Sequence, residues 1–229
     1  RAVVELIHNL PVFSQQKKER LSMKAFCYGL KALLISQLQL KIYCDESQSQ
    51  ASWDKIRSNI KSRRATVLMV NHTSRLDGLL TAMIAPADVI KRSRSYVSSF
   101  VFEIPIFGGI VSRIGHRPVH FKSDADGFFS VDKDKQMKEF VKMSSFLKHN
   151  HGILVYCPEG TINKHPKKLL SFRRGSFKHA SSLRAEMWSL TFVNNNLAWP
   201  RKIALGGLPA PIFYSIKLLT EAADGSPKQ

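Results

Sequence analysis

Apolar side chains recur at helical spacing near the start of the chain. Across residues 17–41 neither a proline nor a polar break interrupts the pattern, and Met23, Phe26, Cys27, Leu30, Leu34 and Leu38 fall on one face. That stripe predicts a long amphipathic helix. Lys17, Lys24 and Lys31 repeat beside it, so that their stems could lie along apolar surface while their ammonium groups reach lipid headgroups. Two readings follow: a helix on an anionic membrane surface, or a helix docked on the core of its own domain with a solvated edge.

After a polar stretch over residues 45–52, expected as a loop, the period changes. Short β-branched or apolar runs at 66–70, 95–99, 117–121, 153–157, 188–193 and 211–216 alternate with helical patterns. This predicts an α/β fold, a mixed central sheet flanked by helices, with an N-terminal amphipathic helical element. The best helix between strands should open at Ser130 as N-cap, with Asp132 and Asp134 in its first turn and Met137, Phe140, Val141 and Leu147 on one face. No internal repeat or low-complexity tract is present, and only residues 224–229 read as a disordered tail.

Composition fits one folded domain: 229 residues, 44% hydrophobic and 23% charged. The balance of 35 basic against 17 acidic residues, a formal charge of +18, calls for a partner dense in negative charge. Nucleic acid is the non-enzymatic alternative, as is a basic lipid-binding module. The chain lacks RNP-like, KH-like or zinc-finger patterns, and its basic residues are not interleaved with stacking aromatics, which argues for no nucleic acid. Cys27, Cys44 and Cys157 form neither a disulfide framework nor a zinc spacing, so an intracellular, reducing compartment is expected, with no metal. No uninterrupted apolar run approaches the roughly 18 residues of a spanning helix, which places the protein on a membrane and not through it. Arg1 carries no initiator methionine or signal-peptide pattern, which fits a longer protein trimmed of flanking anchors.

Candidate chemistry sits after two of the expected strands. Asn71, His72, Thr73, Ser74, Arg75, Leu76 and Asp77 follow the run at 66–70, where α/β folds place reactive groups. An imidazole there can take a proton from a hydroxyl near neutral pH if a carboxylate fixes its tautomer, and Asp77 is the nearest candidate. Ser74 and Asp77 also spell a capping box, in which Asp77 satisfies backbone N–H groups at a helix start. Both roles can share one side chain. Cys157, Pro158, Glu159, Gly160 and Thr161 follow the run at 153–157, either as a simple Pro-Gly turn or as a second functional loop in which Gly160 allows close backbone approach. Lys164, Lys167, Lys168, Arg173, Arg174 and Lys178 come next with no acidic residue among them, a stretch suited to phosphate oxygens.

In order and spacing, NHTSRLD at 71–77, GHRPVHF at 115–121, CPEGT at 157–161 and FRRGSF at 172–177 resemble the motifs of the glycerolipid acyltransferase family. That family includes lysophosphatidic acid acyltransferases, glycerol-phosphate acyltransferases and tafazzin. The resemblance implies a membrane-associating element over residues 1–50 and an acyltransferase domain over 51–229. It implies that His72 is the base and Asp77 its orienting partner, with Asn71, Glu159, Gly160 and Thr161 at the substrate and Lys168, Arg173 and Arg174 on a phosphate. Acyl-CoA would serve as co-substrate with no other cofactor, and a lysophospholipid, lysophosphatidic acid first, as acceptor. A glycerol-3-phosphate acyltransferase and a CoA-independent tafazzin-like transacylase are the related alternatives. An organelle membrane such as the endoplasmic reticulum would be its place in a eukaryote. Departures from the motifs are Phe121, where the family carries an arginine so that Arg117 or Lys122 would substitute, and Cys157 and Ile162, where it carries phenylalanine and arginine. Phe100, Phe102, Ile104 and Ile106 correspond to an apolar region that could receive an acyl chain or lie in the core.

Overall fold

The computed structural model describes residues 1–37, 40–123, 129–203 and 207–221. Among the described residues the strands are β1 (Leu40–Tyr43), β2 (Thr66–Val70), β3 (Ser93–Ser98), β4 (Arg117–Val119), β5 (Phe121–Ser123), β6 (Phe129–Val131), β7 (Ile153–Tyr156), β8 (Glu186–Val193) and β9 (Ala210–Thr220). The helices are α1 (Ala2–Asn9), α2 (Gln15–Ile35), α3 (Glu46–Lys61), α4 (Asp77–Ile84), α5 (Ala87–Ile90), α6 (Ser99–Glu103), α7 (Phe107–Arg113), α8 (Lys133–Asn150), α9 (Lys178–Ser182) and α10 (Asn195–Ala198), with a 3₁₀ turn, η1, at Arg174–Phe177.

Seven strands form one mixed sheet in the order β1-β9-β8-β2-β7-β3-β4, and β5 and β6 pair separately. The expected α/β fold with a mixed central sheet is therefore observed. All neighbours run parallel except β8 and β9. Central β2 and β7 are buried along their whole lengths, and both read as unbroken apolar runs because helices cover both sheet faces. Leu68, Val70, Ile153 and Val155 meet α2, α3 and α4 on one face, where Met23, Cys27, Leu30, Trp53, Ile56 and Leu80 fill the core. Val67, Met69, Leu154 and Tyr156 point the other way, onto Met143, Phe146 and Leu147 of α8. Each fully buried aliphatic side chain contributes about 1.5–3 kcal/mol to holding these layers together.

Several local expectations are corrected. The helix predicted over residues 17–41 ends at Ile35, and Lys41 lies in β1, which pairs in parallel with β9 from Leu40↔Ala210 onward. Leu38 lies outside the described residues, as does the stretch 224–229. The α2 stripe packs into the core through Met23, Cys27 and Leu30 while Lys17 and Lys24 stay exposed. The polar stretch 45–52 is largely the start of α3, because Asp45 caps it by accepting from Gln48 N at 3.1 Å. Helix α8 is capped by Asp132, not Ser130, and buries Glu139, Met143, Phe146 and Leu147, leaving Met137 and Val141 exposed. The run at 117–121 divides into β4 and β5 at His120, whose carbonyl accepts from Asp132 N. Phe100, Ile104 and Ile106 are exposed on and beside α6, so this segment is not core. No helix among the described residues is long and apolar enough to cross a membrane.

Candidate active site

Because β8, β2, β7 and β3 run parallel, their carboxyl ends share one edge of the sheet. His72 stands two residues past β2, Cys157 directly past β7, Asn195 just past β8, and α6 leaves from the end of β3. Segments far apart in the chain thus converge, as expected where loops leave the ends of parallel strands.

His72 Nδ1 lies 2.9 Å from Asp77 Oδ2, with the imidazole 26% exposed and the carboxylate fully buried. Since a carboxylate only accepts, Nδ1 is the donor, and in the neutral imidazole Nε2 carries the lone pair. Burial disfavours the imidazolium, but the hydrogen bond and negative charge of Asp77, with Cys157 close by, outweigh it, and the His72 pKa is pushed up to about 10. Asp77 also accepts from Thr73 N at 2.9 Å and Ser74 N at 3.0 Å through the same oxygen. One side chain thus faces the imidazole and also satisfies two backbone N–H groups of the loop before α4, although the helix end itself carries no side-chain cap. Asp77 is held in turn at the start of α4 by the packing of Leu80, which is wholly buried one turn along.

The second Asp77 oxygen is bound by Asn195 Nδ2, and Asn195 Oδ1 accepts from Thr73 Oγ1 at 3.0 Å. This fully buried amide was not among the residues expected from sequence. Its signal was faint: a run of three asparagines directly after an apolar strand, the same position that drew attention to His72. Changing Asn195 to alanine leaves one carboxylate oxygen and the Thr73 hydroxyl without their partner. A loss of about 1–3 kcal/mol is expected in urea unfolding, together with a fall in kcat, and an unchanged midpoint would contradict this network.

Glu159 is nearly as buried as Asp77 and holds the loop after β7. One oxygen accepts from His72 N at 3.2 Å, and the other from Asn163 Nδ2 at 2.7 Å and Leu170 N at 3.0 Å. Asn163 N donates to His72 O at 2.6 Å, so the β2 and β7 loops are tied twice. Asn163 was also missed in the sequence. The Asn71 amide is committed to Phe192, donating to its carbonyl at 2.9 Å and accepting from its N–H at 2.8 Å. It clamps β2 to β8 beside His72.

Gly160 adopts φ +69°, a left-handed conformation that favours glycine, and the Arg173 stem lies over it. Thr161, Lys168 and Arg173 are exposed around this loop, and Arg173 N donates to Pro158 O at 2.8 Å. Arg174, the next residue, opens η1 and lines a cleft with α8 and α9. Arg117 and Lys122 lie elsewhere. Arg117 is on β4, two strands beyond β7 and 3.9 Å from Glu139, and Lys122 is on β5, 3.5 Å from Asp132.

Over residues 54–193 the chain matches the acyltransferase family, a span that holds His72, Asp77, Cys157, Glu159 and the basic stretch after it. None of the curated proteins compared with it matches. Among solved structures, the 1-acyl-sn-glycerophosphate (LPA) acyltransferase PlsC from Thermotoga maritima is similar in fold. The TM-score is 0.62 at 14% identity, covering 99% of this chain and 80% of that one.

Proposed function

The chain belongs to the acyltransferase family, and on that premise we propose that it moves a fatty acyl group from acyl-CoA to the free hydroxyl of a lysophospholipid, lysophosphatidic acid being the preferred acceptor. The observation that carries the reading is the His72 Nδ1–Asp77 contact of 2.9 Å at the carboxyl edge of the sheet. With Nδ1–H fixed on Asp77, Nε2 accepts the proton of the acceptor hydroxyl as its oxygen attacks the thioester carbonyl. Asp77 stabilises the imidazolium so formed, and as the tetrahedral intermediate collapses the proton passes to the leaving coenzyme A sulfur. A thioester is already activated, so proximity and a positioned base supply most of what the reaction needs.

Two features support a lipid acceptor. Phe100, Ile104 and Ile106 present exposed apolar surface where α6 leaves the same sheet edge as His72, suited to an acyl chain. Arg173 lies beside Gly160, and the exposed Thr161 and Lys168 belong to the same segment, donors suited to a phosphomonoester. The molecule would work at an anionic membrane surface, which its net charge of +18 favours. Measuring free coenzyme A released from oleoyl-CoA with lysophosphatidic acid, glycerol 3-phosphate or lysophosphatidylcholine in parallel tests the acceptor. Release greatest with glycerol 3-phosphate or lysophosphatidylcholine would overturn the preference.

The raised His72 pKa sets a pH dependence. A base that must be neutral to act gives a rate that climbs with pH until the imidazolium has lost its proton. The climb in kcat/KM should therefore lie above the free imidazole value of about 6.5, and Asp77→Asn should move it downward. A plateau already complete at that pH would contradict the assignment.

A further inference from the structure

Arg173 and Arg174 are adjacent in the chain but serve different surfaces. The Arg173 stem covers Gly160 at the reactive edge. Arg174 turns into a cleft of about 440 Å³ lined by Phe140, Phe177, Lys178, Ser181 and Ser182. We propose that this cleft between α8 and α9 binds the phosphorylated nucleoside end of the acyl donor, apart from the acceptor phosphate at Arg173. This rests on the acyl-CoA reading above and assigns the two kinds of phosphate to different residues.

The cleft is shallow and open to solvent, and its lining matches the chemistry of a phosphorylated purine nucleoside. Arg174 and Lys178 are one helical turn apart and exposed, and neither makes an ion pair among the described residues. Ser181 adds a hydroxyl donor from the next turn, while the Ser182 hydroxyl donates to His179 O at 3.2 Å. Arg174 offers the planar fork that grips phosphate oxygens and Lys178 a point charge beside it. The aromatic walls are fixed in advance. Phe140 stacks on His179 with centroids 4.0 Å apart and 18° between planes. His179 is buried and clamped by Tyr96 Oη at 2.7 Å and Ser144 Oγ at 3.2 Å. Phe177 meets Tyr156 edge-on at 6.2 Å. Walls that need no reordering lower the cost of stacking a base.

The cleft also lies within reach of the chemistry. Tyr156, which Phe177 meets, ends β7, and three residues further on Glu159 accepts from His72 N at 3.2 Å. An extended thioester arm leaving the cleft over the Cys157–Gly160 loop would arrive at His72 while the acceptor enters beside Arg173.

The test uses calorimetric titration with adenosine 3′,5′-bisphosphate, which has the nucleotide chemistry but no acyl chain, beside kinetics in both substrates. The intact chain should bind the nucleotide, and the Arg174→Ala/Lys178→Ala double variant should lose affinity and raise the acyl-CoA KM on the order of tenfold or more, with kcat and the acceptor KM little changed. Arg173→Ala should do the reverse, raising the acceptor KM alone. Unchanged nucleotide affinity and donor KM in the double variant, in a protein that still turns over acyl-CoA, would overturn the subsite and leave the acyl transfer standing. An intact chain that neither turns over acyl-CoA nor binds the nucleotide would remove both.

Discussion

Replacing His72 by alanine is expected to lower kcat by about 10²–10⁴-fold and to leave the folded state almost as stable as before. With Nδ1 held on Asp77, Nε2 is the imidazole nitrogen left to accept a proton, and no other side chain of the β2 loop is an uncommitted base. The main chain at position 72 keeps its own anchors, donating to Glu159 and accepting from Asn163. Asp77, although buried, loses only one of four partners, because Thr73 N, Ser74 N and Asn195 still reach it. A kinetic lesion that far exceeds the loss of stability is therefore the signature, the melting temperature falling only by what the imidazolium–Asp77 contact contributes, read from turnover and calorimetry on one preparation. A variant that stays active would remove His72 from the mechanism.

Asp77→Asn should be worse, failing in both respects. Oδ2 accepts from the imidazole and two backbone N–H groups, and Oδ1 accepts from the Asn195 amide. An asparagine must place its NH₂ on one side or the other, so in either orientation a donor faces donors in a fully buried site. One unsatisfied contact of this kind costs about 1–3 kcal/mol. The imidazole also loses the carboxylate that selects its tautomer and stabilises its charged form, a change expected to cost kcat on the order of 10²–10⁴-fold. Urea midpoints and initial rates should both fall. A variant with normal stability and only reduced turnover would mean that the carboxylate serves the imidazole alone.

The contrast between these variants shows which parts of the site were legible in the amino-acid sequence. His72 and Asp77 could be read because they follow a buried apolar strand in a polar cluster with helix-start spacing, and both contacts foreseen for Asp77, to the imidazole and to backbone N–H groups, are present. The motif resemblance that accompanied them agrees with the family match. Asn195 and Asn163 could not be read, since an asparagine has the same appearance in sequence whether its amide faces water or a buried carboxylate, 118 residues away for Asn195 and four away for Asn163. Helix α3 was partly hidden because its buried face includes Ser49 and Asn59 where a periodicity search expects apolar residues. Strand β1 was absorbed into a helical pattern, as its four residues alternate too briefly to declare a period and gain their structure from pairing with β9. Helix α8 was found but turned, because Met137 and Val141 are apolar and exposed while Glu139 is buried against Lys142 and Arg117. The basic stretch showed its charge in sequence but not its division, which depends on Arg173 joining the β7 loop and Arg174 starting η1.

The most direct test of acyl transfer is a mass balance on purified protein. Oleoyl-CoA labelled in its acyl chain is incubated with lysophosphatidic acid, and free coenzyme A and labelled phosphatidic acid are measured together. The mechanism predicts one labelled phosphatidic acid for each coenzyme A released, both falling together in the His72→Ala protein. Release of coenzyme A with the label recovered as free fatty acid, or labelled phosphatidic acid formed undiminished by the His72→Ala protein, would contradict it.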